Sequence, residues 1–420
     1  MIKIVLIISF VLESIYKFIK NYFNDCYDNG PLPSNVRDIY DERKYYHVKA
    51  YERASGKLSL TLSTIVAVIT LFYYIFNVHA AVFNYFANLN IYLRYFILSL
   101  FSSLSFFPFL LIIDYYDEYK VKVKYGLRNC NKKKYFISII KGRISSLLSS
   151  YVIIVAVTFL YTTFGNIALL IASLATIVYA IVVGTFSFFF INLFTKLTPL
   201  PDGELKSKLL AICEKNNVKV KKIVVRDTRR RPRGRANAFC GGLFKKTIAI
   251  DDKLLKQSPT DEVIAIFIHE LGHLKGHHVY KMLPWAVFSY IYKYLAMVII
   301  LNFPSLFTAF GFTDVNFFFV FDLTLMIIWP LNELNTIIRN YQSRKNELEA
   351  DALVATNGYG EELIDSIKRL NKEGFYEMNP NRWAYITKNP YPTTSQRIQA
   401  IREKENNILL EYFKKHIIKI

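Results

Sequence analysis

The feature that most constrains this chain is a series of apolar runs, each long enough to cross the hydrocarbon core of a bilayer. A transmembrane helix needs about 20 predominantly apolar residues, and about seven such runs can be marked in the sequence. The first begins with a lysine, as a signal peptide can, but it lacks a small-residue cleavage site and is counted as a span. The runs lie at residues 3–22, 58–80, 92–113, 144–163, 166–194, 284–303 and 316–338. The expected fold class is a predominantly α-helical, polytopic membrane protein.

The loops between these runs alternate in charge. Charged residues are almost absent from 81–91, 161–166 and 304–315, whereas Lys and Arg are frequent in 114–143, 195–283 and 339–420. Cytosolic loops carry an excess of Lys and Arg, so seven spans predict an N-terminus outside the cytosol and a C-terminus inside it. The formal net charge of +20 is then explained by this topology and by contact with anionic lipid.

The densest basic run is "RDTRRRPRGR", residues 226–235. Clusters of this kind occur in nuclear localisation signals and nucleic-acid-binding patches. Here no aromatic residues are interleaved with the basic ones, and no helix-turn-helix spacing accompanies them. We interpret the run as a solvated loop that faces anionic lipid or an acidic substrate, and we expect no nucleic-acid partner.

Charged residues inside the apolar runs are expensive when they face lipid. Glu13, Lys293 and Asp322 are therefore expected to face the interior of the helix bundle, where Lys293 and Asp322 could pair.

Soluble structure is expected in the polar segment at 196–283. "PLPDGELKSKLLAICEKNN" has apolar residues at helical spacing, "KKIVV" and "KKTIAI" are typical of short strands, and "RANAFCGGLF" is typical of a strand or turn. A helix follows in "SPTDEVIAIFIHELGHLKGHH", where Ser258 can act as the cap and Pro259 suits the first helical position.

Four of the seven histidines lie near the end of this helix, within residues 269–278. His269 and His273 are four residues apart, so they share one helix face and can bind one metal ion, with Glu270 beside the open coordination position. This H-E-x-x-H pattern is typical of zinc proteases. For His277 and His278 two interpretations stay open: a hydrogen bond to a metal ligand from outside the coordination sphere, or a solvated helix end.

A catalytic zinc ion has three protein ligands and an exchangeable water, so a third ligand is required. The best candidate lies in "SRKNELEADALVA", residues 343–355. Glu347 could bind the ion, while Asp351, one helical turn later, could orient one of the histidine ligands. Glu349 is expected to point to another face. A charged amphipathic helix would have the same pattern, so this motif alone is not specific.

Five segments, in this order, carry a family resemblance: "LTPLPDGELKSKL", "NAFCGGLFKKTIAIDDKLL", "HELGHLKGHH", "SRKNELEADALVA" and "YPTTSQRIQAI". With the apolar runs, they resemble the type I CAAX prenyl proteases, which are integral-membrane zinc metalloproteases. The resemblance covers most of the chain. It implies seven helices around a water-filled chamber, a small α+β zinc-metalloprotease domain and one Zn²⁺ per chain. Members of this family remove the last three residues after an isoprenylated cysteine, in the endoplasmic reticulum or the inner nuclear membrane.

The resemblance also implies a role for each matching residue. The zinc ligands would be His269, His273 and Glu347, with Glu270 as general base. Independently of the resemblance, helix spacing selects Asp351, and position at the helix end selects His278, as residues that hydrogen-bond the ligands from behind. Asn237 and Ala238 match an edge-strand pair that binds the substrate backbone by β-augmentation, and Arg397 matches an arginine near the zinc site. Tyr391 stands where the family usually has a histidine, and its hydroxyl can still donate to a developing oxyanion.

These assignments divide the chain into five N-terminal transmembrane helices with cytosolic loops (1–195), a metalloprotease segment (196–283), spans six and seven (284–340) and a cytosolic segment that completes the zinc site (341–420). The expected partners are isoprenylated CAAX proteins or peptides and the lipid bilayer. One alternative is a membrane-protein quality-control metalloprotease without a prenyl requirement. The other is a non-catalytic binder of prenylated tails or a translocation-associated scaffold, which would have no need of Glu270.

Overall fold

The structure is a computed structural model that describes residues 1–26, 31–39, 42–126, 131–185, 191, 195–228, 237–241, 246–374 and 378–416. Its contacts divide the chain into two compact units. The first comprises Met1–Asp28, Lys49–Ala175 and Val287–Asn335, and the second comprises Asn29–Val48, Thr176–Ala286 and Thr336–Ile420. Helices dominate both units.

Most of the N-terminal helices are long, because their apolar sequences contain few residues that interrupt a helix. Asparagine side chains cap two of them: Asn90 accepts from the Tyr92 amide, and Asn131 accepts from the Lys133 amide. These helices are α1 (Ile2–Asn21), α2 (Glu42–Ile75), α3 (Val78–Tyr85), α4 (Ile91–Tyr116), α5 (Lys132–Phe164) and α6 (Asn166–Thr185). Helix α4 continues through a π-helical turn at Asp117–Val121 into Lys122–Lys124.

The remainder of the chain contains a small sheet and nine further described helices. The strands are β1 (Leu197–Pro199), β2 (Lys222–Arg226), β3 (Ala238–Gly241) and β4 (Thr247–Asp251). The helices are α7 (Glu204–Lys215), α8 (Asp252–Gln257), α9 (Thr260–Lys275), α10 (His278–Leu301), α11 (Ser305–Thr308), α12 (Phe319–Thr356), α13 (Gly360–Gly374), α14 (Arg382–Thr387) and α15 (Thr394–His416). The two predicted helices (α7 and α9) and the two predicted strands (β2 and β4) of the polar segment are confirmed. The segment predicted as a strand or turn contains the strand β3, and β1 was not predicted.

Four helices of the described ranges are long and apolar enough to cross a bilayer: α2, α4 with its continuation to Lys124, α5 and α10. Residues Asn166–Tyr179 of α6 form a shorter apolar stretch, and residues 186–190 and 192–194 of that predicted span lie outside the described residues. Helices α1 and α12 occupy the first and last predicted spans but carry several charged or amide side chains. A polytopic helical membrane protein is therefore confirmed, and the count of seven spans stays a prediction.

The core of the first unit is rich in aromatic side chains, among them Tyr74, Tyr95 and Phe319. Two of the charged residues predicted to avoid lipid lie in this unit's packing. Glu13 is 7% exposed and bonds Lys17 at 2.5 Å. Asp322 lies 3.9 Å from His79 Nδ1, and the structure shows no pairing of Asp322 with Lys293 within the part of the chain it describes.

The second unit is built on a mixed sheet of strand order β1-β2-β4-β3, in which β2 and β4 are parallel and the two outer pairings are antiparallel. The central strand β4 is buried on both faces, since Ile248, Ala249 and Ile250 are all fully buried. Apolar side chains of α7, α9, α13 and α15 pack in the same core, including Leu209, Phe267, Ile364 and Ile398. This core fixes β3 and the H-E-x-x-H helix α9 as neighbours.

Candidate active site

Helix α9 carries the H-E-x-x-H residues and is buried along most of its length, from Val263 to Leu274. Its first turn contains Asp261 and Glu262, which interact favourably with the positive end of the helix dipole. The predicted cap at Ser258 is wrong by one residue, because Pro259 is the N-cap and makes no side-chain cap hydrogen bond. Ser258 Oγ instead accepts from Arg369 Nη2 at 2.8 Å.

A close crossing brings α9 against α12. A Cβ atom added to Gly272 would lie 2.7 Å from Ala350 Cα, which is nearer than real side chains approach. Glycine at this position therefore allows the two backbones to come together one residue before His273. Ala350 lies between Glu347 and Asp351, so the crossing places both carboxylates against the histidines of α9.

Three side chains converge at this crossing. His269 Nε2 and His273 Nε2 are 3.2 Å apart, and they lie 3.5 and 3.6 Å from the carboxylate oxygens of Glu347. Donors bound tetrahedrally to zinc at about 2.1 Å would be roughly 3.4 Å apart, so the spacing fits a single zinc ion. Two imidazoles and one carboxylate are also a donor set found in catalytic zinc sites. The structure thus brings together the three residues predicted as ligands.

Asp351 lies behind this cluster and is fully buried. Its carboxylate accepts from Arg397 Nε and Nη2, both at 2.7 Å, and lies 2.9 Å from His269 Nδ1. Burial alone would raise the pKa of Asp351, but the guanidinium of Arg397 outweighs it and holds that pKa well below its usual range. Asp351 therefore stays ionised and orients the His269 ring, and Arg397 binds Asp351.

Two carboxylates, those of Asp351 and Glu347, lie beside the His269 ring. Burial lowers its pKa, yet the hydrogen bonds with Asp351 and Glu347 outweigh burial and raise it to about 9. The pKa of His273, which has no carboxylate bonded to its ring, is lowered to about 4 by burial and by the charge of His269. Surroundings that favour a proton on His269 equally favour a metal cation, which competes with that proton for the same lone pair.

Glu270 faces the edge of the sheet. Burial raises the pKa of its carboxyl, while the charge on His269 and a hydrogen bond with the Cys240 thiol on β3 act in the opposite direction. Burial likewise raises the pKa of Cys240, and the adjacent Glu270 adds to that rise. The side chain predicted to be the general base thus lies beside the strand predicted to bind substrate.

Strand β3 is at one end of the described sheet, next to β4. Asn237 precedes it and is held at both backbone groups: its N–H donates to Asp251 Oδ2 at 3.1 Å, and its C=O accepts from the Asp251 amide at 3.0 Å. Arg226 in turn donates two hydrogen bonds to Asp251, at 2.7 and 2.9 Å. Arg226, the first residue of the basic run, therefore supports the edge strand, and residues 229–235 of that run lie outside the described residues.

Two further predicted residues, Tyr391 and His278, lie near the cluster of His269, His273 and Glu347. Tyr391 is 60% exposed as a whole residue. Partial burial of its hydroxyl and the charges of Glu347 and Glu270 raise the pKa of that hydroxyl, and Arg397 lowers it. His278 places its Nδ1 2.7 Å from His273 Nδ1. Sequence reasoning missed Cys240, whose contact with Glu270 depends on pairing of the sheet. Glu349 was expected to point to another face than Glu347, and it is not part of the cluster; its contact with His278, at 3.2 Å from Oε2 to Nε2, was not predicted.

Comparison with known proteins places these features in a family. The profile of peptidase family M48 matches residues 199–405, and the profile "CAAX prenyl protease N-terminal, five membrane helices" matches residues 22–196. A probable CAAX prenyl protease 1 from Schizosaccharomyces pombe is 30% identical over 72% of this chain and 64% of its own length. A CAAX prenyl protease 1 homolog from Oryza sativa is 26% identical over 73% of this chain and 71% of its own.

The fold has a counterpart among solved structures. The crystal structure of S. mikatae Ste24p aligns with a TM-score of 0.75 and 22% identity, over 96% of this chain and 99% of that one. The two family profiles follow one another along nearly the whole sequence, and the H-E-x-x-H cluster lies within the residues matched by the M48 profile. The chain is therefore a member of peptidase family M48, a family of metallopeptidases, and carries the N-terminal membrane region of the CAAX prenyl proteases.

Proposed function

We propose that this chain is a membrane zinc endopeptidase that removes the last three residues from isoprenylated CAAX proteins or peptides. The observation that carries the proposal is the cluster of His269, His273 and Glu347 with Glu270 beside the edge strand β3. The names of the relatives support the substrate class, since several are CAAX prenyl proteases.

His269, His273 and Glu347 would hold one Zn²⁺ ion. When bound, zinc supplies Lewis acidity, which polarises the scissile carbonyl and makes a water molecule more acidic. Strand β3, from Asn237 and Ala238 onward, would bind the substrate backbone by β-augmentation and align its scissile bond with Glu270.

Glu270 is suited to move a proton. Its pKa is raised by burial, which brings the carboxylate closer to the range in which a general base works near neutral pH. It would take the proton of the attacking water and deliver it to the leaving amine. Tyr391 would donate its hydroxyl proton in a hydrogen bond to the oxyanion, while Arg397 and Asp351 fix the His269 ring.

We also propose a membrane topology and a cellular location for this reaction. About seven spans would surround a water-filled chamber in the endoplasmic reticulum or inner nuclear membrane, with the metalloprotease segment 196–283 and residues 341–420 in the cytosol. The alternation of basic and uncharged loops supports this orientation through the positive-inside rule.

The test compares cleavage of farnesylated and unfarnesylated C-terminal peptides by the purified chain, with and without a zinc chelator. The expected result is chelator-sensitive release of the last three residues from the farnesylated peptide alone. Equal cleavage of both peptides would favour a quality-control protease, and binding without cleavage would favour a non-catalytic binder. Cleavage that persists after the chelator would exclude the metal mechanism.

A further inference from the structure

The turn that follows the H-E-x-x-H helix has an unusual construction. Helix α9 ends at Lys275 and α10 begins at His278. Between them, His277 has φ +52°, in the left-handed region that side chains rarely adopt. A Cβ atom on Gly276 would overlap the imidazole of His278. The turn "GHH" therefore folds the His278 ring back over the end of α9, where it is only 5% exposed.

This ring is the centre of a chain of hydrogen bonds. His278 Nδ1 lies 2.7 Å from His273 Nδ1, and His278 Nε2 lies 3.2 Å from Glu349 Oε2. Lys281, one turn into α10, donates to the same Glu349 oxygen at 2.5 Å. Four side chains from the end of α9, the start of α10 and helix α12 are thus connected in series.

The direction of the hydrogen bonds follows from the metal cluster. His273 Nε2 faces His269 and Glu347, so it must keep a free lone pair in order to bind a cation, and the ring proton then lies on Nδ1. His273 Nδ1–H donates to His278 Nδ1, which must therefore be unprotonated. The proton of a neutral His278 is then on Nε2 and donates to the carboxylate of Glu349.

We propose that His278, Glu349 and Lys281 form a relay that positions His273 and sets the tautomer in which it binds metal. The proposal rests on the metalloprotease function proposed above and deepens it. It assigns different supports to the two histidine ligands: His269 donates directly to a buried carboxylate, whereas His273 reaches its carboxylate through a second imidazole.

The relay has two measurable consequences. Loss of the hydrogen-bond partner of a metal-binding histidine typically lowers metal affinity about 10- to 100-fold, so His278→Ala is expected to raise the Kd for Zn²⁺ by that factor. Glu349 acts on His273 only through His278. Glu349→Ala should therefore weaken zinc binding in the wild-type background and have no further effect in His278→Ala.

The experiment measures Zn²⁺ affinity of the purified full-length chain in detergent, by competition with a chromogenic chelator. It compares wild type, His278→Ala, Glu349→Ala and the double variant. His278→Asn is included because the amide oxygen of asparagine can accept from His273 Nδ1–H, so part of the affinity should return. His277→Asn is the matched control: it removes an exposed imidazole from the same turn, and asparagine tolerates the left-handed backbone.

The outcomes separate the relay from a merely structural role. Wild-type affinity in His278→Ala, or an effect of Glu349→Ala that is undiminished in the double variant, overturns the proposal. Thermal unfolding of each metal-free variant shows whether the chain folds, and Glu349→Ala tests the relay even where His278→Ala does not fold. Zinc affinity is measured without substrate, so the expected affinities with no cleavage of farnesylated peptide would overturn the proposed function and leave the relay intact.

Discussion

At the scale of single residues, substitution of Glu270 should remove the general base, whereas substitution of a cluster member should remove a metal ligand. Glu270 is not part of the cluster that could hold a metal. We expect Glu270→Gln to retain zinc at one ion per chain and to lose about 100- to 10,000-fold in rate, the usual contribution of a general base. Metal analysis and peptide cleavage on the same preparation check this. A Gln variant with full activity would mean that another group takes the proton.

Tyr391 stands where the resemblance to the CAAX prenyl proteases implies a histidine. A donor directed at charge that exists only in the transition state affects turnover more than binding. We expect Tyr391→Phe to lower kcat about 100- to 1,000-fold with KM little changed, and Tyr391→His to keep activity. Steady-state kinetics decide the point: wild-type kinetics in Tyr391→Phe would show that the ring merely packs beside Pro390 and Pro392.

The local part of the site was predictable from sequence because helical periodicity dictates it. His269 and His273 share a face at a spacing of four, and the same logic selected Glu347 and Asp351. Two contacts were not predicted, that of Cys240 with Glu270 and that of Glu349 with His278. The first contact depends on strand pairing, and the second depends on the backward fold of the "GHH" turn. No local pattern in the sequence determines either of them.

At the scale of helices, the crossing of α9 over α12 is the feature on which the metal cluster depends. A methyl group at Gly272 would meet the Ala350 backbone, so the helices would have to separate. We expect Gly272→Ala to lower the free energy of unfolding by about 1–3 kcal/mol, as overpacking does, and to weaken zinc binding as well. Thermal unfolding and chelator competition measure the two effects.

A matched control is available on another helix. An added Cβ at Gly142 in α5 has nothing within 4 Å. Gly142→Ala should leave zinc affinity unchanged and, since alanine favours the helix by about 1 kcal/mol, should not lower stability. If Gly272→Ala matches this control in both measurements, the two backbones are not in contact in solution and the crossing does not hold the site together.

At the scale of the whole molecule, the apolar runs predicted the helical membrane architecture, whereas the number of spans stays a prediction. Helices α2, α4, α5 and α10 are apolar enough to be recognised alone. Helix α1 contains Glu13, which is buried by tertiary packing and pairs with Lys17 one turn later in the same helix. A charged side chain that is buried in the bundle makes a spanning helix look polar in sequence, so α1 and α12 do not stand out by length and hydropathy alone.

The orientation of the chain tests that count directly. With an odd number of spans and the basic loops in the cytosol, a tag following Ile420 should be digested by protease added to sealed microsomes, whereas a tag preceding Met1 should be protected until detergent is added. A third tag, inserted after Asp202 in the loop before α7, is the internal control and should be digested with the C-terminal tag, because both are assigned to the cytosol.

Digestion of both terminal tags, or protection of both, would mean an even number of spans. Since the loop charges are the same in either case, the change would then have to lie in α1 or α12, the two predicted spans with the most polar side chains.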